Sequence, residues 1–265
     1  MNEEPNHYAL NPSSDLVKRA SKVAKAESAR KGEPKFHMTE DMRRLSTPWS
    51  ISKVRAEQIQ ATDLPAGVIL DAAAGSGVQL IALTTGLKRP GLAIELDPNI
   101  GLLCAANMHI TDEGSDLQRT MDRVLVGDGT DAENAIVAYW NSLREAGTRA
   151  HPPIGMLHLD PARPRDAQRH EIDEMQPALG PLLKAWANHL ETGPRGPAIL
   201  LDLSPRLNED QRSLVDATIE TTFPGIPRTW EYLSQGGGRI DRLSVWIGSL
   251  SSKEPSRCIR MGKKK

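Results

Sequence analysis

The sequence predicts an α/β fold with a seven-stranded, mostly parallel sheet that ends in an antiparallel hairpin. Short apolar segments alternate with helical segments from about residue 67 onward, which is typical of a parallel sheet covered by helices on both faces. The last two apolar segments are joined by the glycine-rich connection 234–238, which is too short for a crossover helix. The predicted strands span residues 67–70, 92–95, 123–126, 155–159, 197–203, 228–233 and 242–248.

Seven helices are predicted before and between these strands. The first, residues 15–30, is rich in alanine and lysine and ends before Gly32 and Pro34. The second, residues 50–61, carries apolar side chains at helical spacing. The other predicted helices span residues 78–85, 99–110, 132–146, 174–190 and 209–221.

The composition indicates a soluble protein of the cytoplasm. The chain has 265 residues, 38% of them hydrophobic, and a net charge of −1. No apolar run approaches the about 20 residues that cross a membrane, and the N-terminus lacks a secretion signal. We divide the chain into a basic N-terminal extension at 1–38, a globular domain at 39–250 and a basic tail at 251–265. The basic ends are equally compatible with nucleic-acid binding and with solvated segments.

The segment VILDAAAGSGVQLIAL is the strongest functional signal in the chain. An apolar strand, Asp71, a loop of small residues and a helix follow one another directly. At the carboxyl end of a parallel strand, such a loop contacts a ligand if side chains leave room, and Gly75 and Gly77 supply that room. A dinucleotide site would add a third glycine, so a cationic, phosphate-free ligand fits better. An ordinary glycine turn is the alternative.

Two further acidic residues follow the next two strands. Glu95 comes 24 positions after Asp71, close to the spacing at which an acid binds ribose hydroxyls. Asp128 follows strand 123–126, where a carboxylate accepts a hydrogen bond from an adenine amino group. These positions together predict one ligand site at the carboxyl end of the sheet.

The segments DAAAGSG, AIELDP, VGDGTD and LDPAR resemble the successive motifs of class I S-adenosylmethionine-dependent methyltransferases over residues 47–250. The resemblance implies a Rossmann-like fold and S-adenosylmethionine as cofactor. It also implies that loop 71–77, which includes Ala73, contacts the methionine part, that Glu95 holds the ribose and that Asp128 borders the adenine. Many members have cysteine or glycine where Ala73 stands.

A closer resemblance is to methyltransferases with a DPAR tetrapeptide and a small THUMP-like C-terminal region, here about residues 195–250. Four segments carry it: STP with KVRA at 46–56, DPARPRDAQRH, LSP at 203–205 and SQGGGRIDRLSVWIG. This group is kin to RNA methyltransferases such as trimethylguanosine synthase. The resemblance therefore implies RNA as the partner.

Asp160, Pro161 and Arg163 are the predicted catalytic residues. In relatives that methylate amino groups, the acid at this position and the next backbone carbonyl accept hydrogen bonds from the target nitrogen. Such positioning supplies most of the catalysis, because an electron-rich nitrogen needs no strong base. Arg163 replaces the aromatic residue of the related DPPY form. A plain Asp-Pro turn is the alternative.

Four residues are predicted to bind substrate. Trp49 would stack on a base, and Arg55 lies in the KVRA segment. Arg165 and Arg169, with Arg163, would bind backbone phosphate, or else they pair with neighbouring acidic residues.

The predicted function is methylation of a nitrogen in an RNA base of tRNA or rRNA, with a ribose oxygen left open as the other target. Neither Cys104 nor Cys258 is placed for the covalent mechanism that methylation of a pyrimidine carbon requires. The histidines show no metal-binding spacing, so no metal is expected. The alternatives are a small-molecule or protein methyltransferase, a non-catalytic RNA-binding protein on the same fold, and a dehydrogenase.

Overall fold

A computed structural model describes residues 7–28, 32–111, 120–162 and 172–261. The strands are β1 Tyr8–Leu10, β2 Ala26–Glu27, β3 His37–Met38, β4 Val68–Asp71, β5 Gly91–Glu95, β6 Arg123–Val126, β7 Ile154–Leu159, β8 Thr192–Gly193, β9 Gly196–Leu203, β10 Arg228–Ser234, β11 Arg242–Gly248 and β12 Ser256–Arg260. The helices are α1 Ser14–Val23, α2 Glu40–Leu45, α3 Trp49–Gln60, α4 Val78–Leu87, α5 Pro98–Ile110, α6 Ala132–Glu145, α7 Leu179–Trp186 and α8 Glu209–Thr222.

Ten of these strands form one sheet in the order β1-β6-β5-β4-β7-β9-β11-β10-β12, with β8 beside β9. All seven predicted strands are present, each within one residue of its predicted ends. Strand β11 runs antiparallel to β9 and β10, which confirms the predicted hairpin. The chain has a Rossmann-like α/β fold with a mostly parallel sheet.

The order of the strands reverses at β4, which pairs in parallel with β5 on one side and with β7 on the other. In open α/β sheets, ligands bind in the crevice beyond the carboxyl ends of the strands at such a reversal. Asp71 ends β4 and Asp160 follows β7. By this rule we expect a ligand crevice between the predicted cofactor loop and the predicted catalytic residue.

The sheet has an apolar core on each face. One core lies under α1, α3, α4 and α5, and the other lies under α6, α7 and α8. The seven central strands are almost continuously buried, as expected for strands that are covered on both faces. Charged side chains inside this sheet therefore need partners, and their partners define much of the site described below.

The two terminal segments both add strands to the sheet. Strand β1 pairs antiparallel with β6 at one edge, and β12 pairs parallel with β10 at the other. Helix α1 packs on α5 and ends at Val23, because residues 26–27 turn into a short hairpin with β3. The predicted helix 15–30 is therefore too long. Residues 8–10 of the extension and residues 256–260 of the tail are therefore the two edge strands of the sheet.

The structure differs from the predicted helices at two other places. Helix α7 covers only Leu179–Trp186 of the predicted 174–190, and the short helix α2 was not predicted. In the described parts of the chain, no helix has the length and apolar character needed to span a membrane.

Candidate cofactor and active site

The buried carboxylate of Asp71 holds the loop that follows β4. Its Oδ1 accepts a hydrogen bond from the Ala73 N–H at 3.1 Å, and its Oδ2 lies 2.8 Å from His158 Nδ1. The side chain is only 2% exposed. Both oxygens are thus engaged within the protein, and Asp71 holds the shape of the loop.

The two glycines of this loop have different roles. Both have positive φ, 54° at Gly75 and 77° at Gly77, which glycine adopts without strain. A Cβ at Gly75 would meet nothing within 4 Å, whereas a Cβ at Gly77 would lie 2.7 Å from Cys104 Sγ. Gly75 therefore borders open space, and its contact with a ligand stays a prediction. The prediction that Gly77 also leaves room for a ligand is wrong, because Cys104 on α5 fills that space.

We expect Gly77→Ala to lower the free energy of unfolding by about 2–4 kcal/mol, because the new Cβ overlaps Cys104 Sγ and the positive φ is strained. Urea unfolding measures this loss. The double variant Gly77→Ala/Cys104→Ala should lose less than the sum of the two single variants. Strictly additive losses would contradict the packing role.

Glu95 at the end of β5 also forms a hydrogen bond with this loop. Its Oε2 accepts from the Gly75 N–H at 3.0 Å, and its Oε1 accepts from the Asp97 N–H at 3.1 Å. Burial raises the pKa of this carboxyl, and the two backbone donors partly offset the shift. The next residue, Leu96, is 72% exposed. The sequence analysis did not single out Leu96, whose apolar side chain is open to solvent directly beside Glu95.

Asp128 lies in the exposed loop after β6. Its Oδ1 accepts from both the N–H and the hydroxyl of Thr130 at 2.8 Å. The His7 ring packs beneath this loop, where Nε2 donates to the Asp128 carbonyl at 2.9 Å and the ring fills the space beside Gly127. The terminal extension thus supports the loop that carries the predicted adenine-binding residue, a contact that no local pattern indicated.

Asp160 lies half-buried directly after β7. Its Oδ2 accepts from Gln79 Nε2 of α4 at 2.6 Å. Burial raises its pKa to about 6, with Asp202 adding to the shift. Pro161 is buried, and Ala162 exchanges two backbone hydrogen bonds with Gln176, at 3.0 and 2.9 Å. The backbone around Asp160 is therefore fixed by β7 before it and by the pairing of Ala162 with Gln176 after it.

Arg55 is the one predicted substrate-binding residue whose assignment the structure contradicts. It is 1% exposed, and its guanidinium makes two hydrogen bonds of 2.6 Å to Asp202. A third bond, of 2.7 Å, reaches Gln79 Oε1. Because all of these partners are buried, Arg55 is a structural residue. Its ion pair with Asp202 and its hydrogen bond to Gln79 lie beneath Asp160. The predicted residues Arg163, Arg165 and Arg169 lie outside the described residues.

His158 in β7 also belongs to this buried group, although its place inside a strand gave no hint of a partner. Its Nε2 lies 3.3 Å from Asp202, opposite the contact with Asp71. Burial alone would lower the pKa of His158, but the two carboxylates overcome this effect and raise it to about 10. Burial would likewise raise the pKa of Asp202, but Arg55 and His158 lower it to about 2. At neutral pH, His158 is a cation and Asp202 an anion.

Trp49 at the start of α3 is half-buried. The centroid of its ring lies 5.5 Å from that of Phe36, and its backbone N–H donates to Glu33 Oε1 at 2.8 Å. The adjacent backbone of His37 bonds to Asn107 of α5, whose amide also donates to the Ser76 carbonyl of the cofactor loop. Trp49 therefore packs on a segment that is tied to the loop, and its stacking role remains a prediction.

The sequence matches no family model and no curated protein. Solved structures with a similar fold include a candidate class I S-adenosylmethionine-dependent methyltransferase from Listeria monocytogenes, with a TM-score of 0.49 and 14% identity over 82% of this chain and 65% of that one. A precorrin-6y C5,15-methyltransferase from Geobacter metallireducens has a TM-score of 0.47 and 12% identity over 80% of this chain and 93% of that one.

A third similar structure is the methyltransferase subunit of a type I restriction-modification system from Streptococcus thermophilus, with a TM-score of 0.47 and 14% identity over 90% of this chain and 48% of that one. The chain thus spans less than two thirds of the Listeria protein and about half of the Streptococcus one. The likeness concerns the fold alone. Function has to be derived from the site itself.

Proposed function

We propose that the protein is an S-adenosylmethionine-dependent methyltransferase that acts on a nitrogen of an RNA base. The observation that carries this proposal is the position of Asp160. Its carboxylate stands at the carboxyl end of β7, beside the crevice, and one oxygen is held by Gln79. An acceptor fixed at this point can orient the N–H of a target base.

The crevice fits the proposed cofactor. Gly75 borders open space at the loop, and Glu95 ends the neighbouring strand β5. The exposed residues Leu96 and Asp128 lie just after the ends of β5 and β6, where the adenine part is predicted. S-adenosylmethionine supplies an electrophilic methyl group when it is bound there. The loop, the acid and the apolar face match its methionine, ribose and adenine parts in that order.

Nitrogen is the favoured target because the chain offers an acceptor and lacks a placed thiol among its described residues. With a pKa of about 6, Asp160 is ionised at neutral pH and accepts a hydrogen bond. Cys104 is buried against Gly77, and burial raises the pKa of its thiol well above the usual range. Cys258 lies on β12, four strands from β7 and thus about 19 Å away across the sheet.

RNA is favoured by charge and by the sequence resemblance to the DPAR group. Helix α1 buries Leu16 and Ala20 and exposes Lys18 and Arg19, and Lys22 also points to solvent. The helix packs on α5, which begins directly after Leu96 and Asp97. A basic surface on this side of the sheet would contact phosphates near the crevice.

The test has two stages. Calorimetric titration with S-adenosylhomocysteine should show binding that weakens about 10- to 100-fold in Glu95→Ala, because a charged hydrogen-bond acceptor is lost. Glu57→Ala, an exposed acid on α3, is the matched control and should bind normally. Absence of binding by folded wild-type protein would refute the methyltransferase assignment.

The second stage measures transfer of a tritiated methyl group to tRNA and rRNA over a range of salt concentrations. Incorporation into RNA that falls steeply with salt is expected. Transfer only to a protein or a small molecule would refute the RNA assignment and retain the enzyme class. Cofactor binding without transfer to any acceptor would favour a non-catalytic protein on the same fold.

A further inference from the structure

Six side chains, joined by five hydrogen-bond contacts, form a continuous chain beneath the sheet edge that ends at Asp160. It starts at Asp71 and runs through His158, Asp202, Arg55 and Gln79, with contacts of 2.8, 3.3, 2.6, 2.7 and 2.6 Å in that order. The acidic and basic members alternate up to Gln79, so each buried charge has an opposite neighbour. The chain links the cofactor loop to the predicted catalytic carboxylate beneath the crevice.

Gln79 is the member that transmits orientation, because an amide has one accepting end and one donating end. Arg55 can only donate, so Gln79 must turn its Oε1 toward Arg55. Its Nε2 then necessarily points at Asp160 as a donor. A donor at this point is satisfied by an ionised carboxylate, whereas a reversed amide would face Asp160 with an acceptor.

We propose that Gln79, held in one orientation by the Arg55–Asp202 ion pair, is a positioning residue that keeps Asp160 as an oriented, ionised hydrogen-bond acceptor. The ionisation and the orientation are properties of the ligand-free protein. Their use in methyl transfer rests on the proposed function.

The charged groups around Asp160 show why such a donor matters. Burial raises the pKa of Asp160 to about 6, and the negative charges of Asp202 and Asp71 act in the same direction. His158 and Arg55 oppose them. The carboxyl therefore titrates close to neutrality, where loss of one hydrogen bond to its charged form would protonate it under working conditions.

The first experiment follows the Asp160 carboxyl by ¹³C NMR during pH titration of the ligand-free protein, with Asp160→Asn to assign the signal. In Gln79→Glu, a carboxylate replaces the donor with nearly the same shape, and the pKa of Asp160 should rise by about one unit or more. Gln79→Met removes only the donor and should give a smaller rise. Gln58→Met on α3, which faces Glu231 on β10, is the matched control and should leave the titration unchanged.

Unchanged titration of Asp160 in both Gln79 variants would overturn the inference, whether or not the protein methylates RNA. A shift in the titration, with no transfer by the wild type, would retain the inference and reject the proposed function. If the wild type is active, Gln79→Met should lower kcat about 10- to 100-fold, because the acceptor is misplaced. Its affinity for S-adenosylhomocysteine should stay within about twofold of the wild type, which separates positioning from damage to the cofactor site.

Discussion

Replacement of Asp160 by alanine is expected to reduce methyl transfer by about 10²-fold or more, the scale on which misplacement of a bound substrate lowers a rate. The reason is geometric and electrostatic. The carboxylate is held by Gln79 at the edge of the crevice, and the backbone after it is fixed by the pairing of Ala162 with Gln176. Single-turnover transfer of a labelled methyl group measures the loss.

The control for this variant is cofactor binding, since the side-chain hydrogen bond of Asp160 goes to Gln79 on α4 and not to loop 71–77. Affinity for S-adenosylhomocysteine should change by no more than about twofold. An equal loss of affinity and rate would show that Asp160 holds the cofactor. A fully active Asp160→Ala variant would show that the Asp160-Pro161 segment is only a structural turn.

The wild-type rate should also depend on pH with a midpoint near the Asp160 pKa of about 6. Below this pH the carboxyl is protonated and loses acceptor capacity, so the rate should fall as the pH falls from 7 to 5. Asp160→Asn, which does not titrate, should lose this dependence.

Replacement of Arg55 by methionine is expected to lower the free energy of unfolding by about 3–5 kcal/mol, the cost of leaving a buried charge without its partner. Asp202 would keep only His158 as a cation, in a site that is 5% exposed. Urea unfolding at pH 7 measures the loss. Arg43→Met, which removes an exposed pair with Glu40, is the matched control and should have little effect. Similar losses in both variants would contradict the buried network.

The pH dependence of this loss has a definite sign. The pKa of Asp202 is lowered from its ordinary 3.8 to about 2, so its stabilising effect is present above about pH 4 and is lost as the pH falls toward 2. The pKa of His158 is raised from 6.5 to about 10, so its contribution is present below about pH 6.5 and is lost as the pH rises through 10. Because Asp202 is the charge that Arg55→Met leaves without its partner, the cost of this variant should shrink as the pH falls from about 4 toward 2.

The sequence by itself determined the central strands and the acids that follow them. The strand VILD, the glycine loop and the helix after it are specified by neighbouring residues, since burial pattern and turn chemistry act within a few positions of the chain. For the same reason, Asp71, Glu95 and Asp160 were placed at the carboxyl edge of a parallel sheet before any contact was known.

Only the tertiary structure decided what these residues touch. Arg55 and Asp202 are 147 positions apart, and they meet because α3 crosses the face of the sheet on which β4, β7 and β9 lie side by side. His158 had the local pattern of a core residue, and its charge became visible only when strand register set it between two carboxylates. The loop sequence suggests open space beside Gly77, but in the structure Cys104 of α5 fills that space. Local propensity selects the elements, whereas the partners of buried polar groups depend on register and packing between distant segments, which neighbouring residues do not encode.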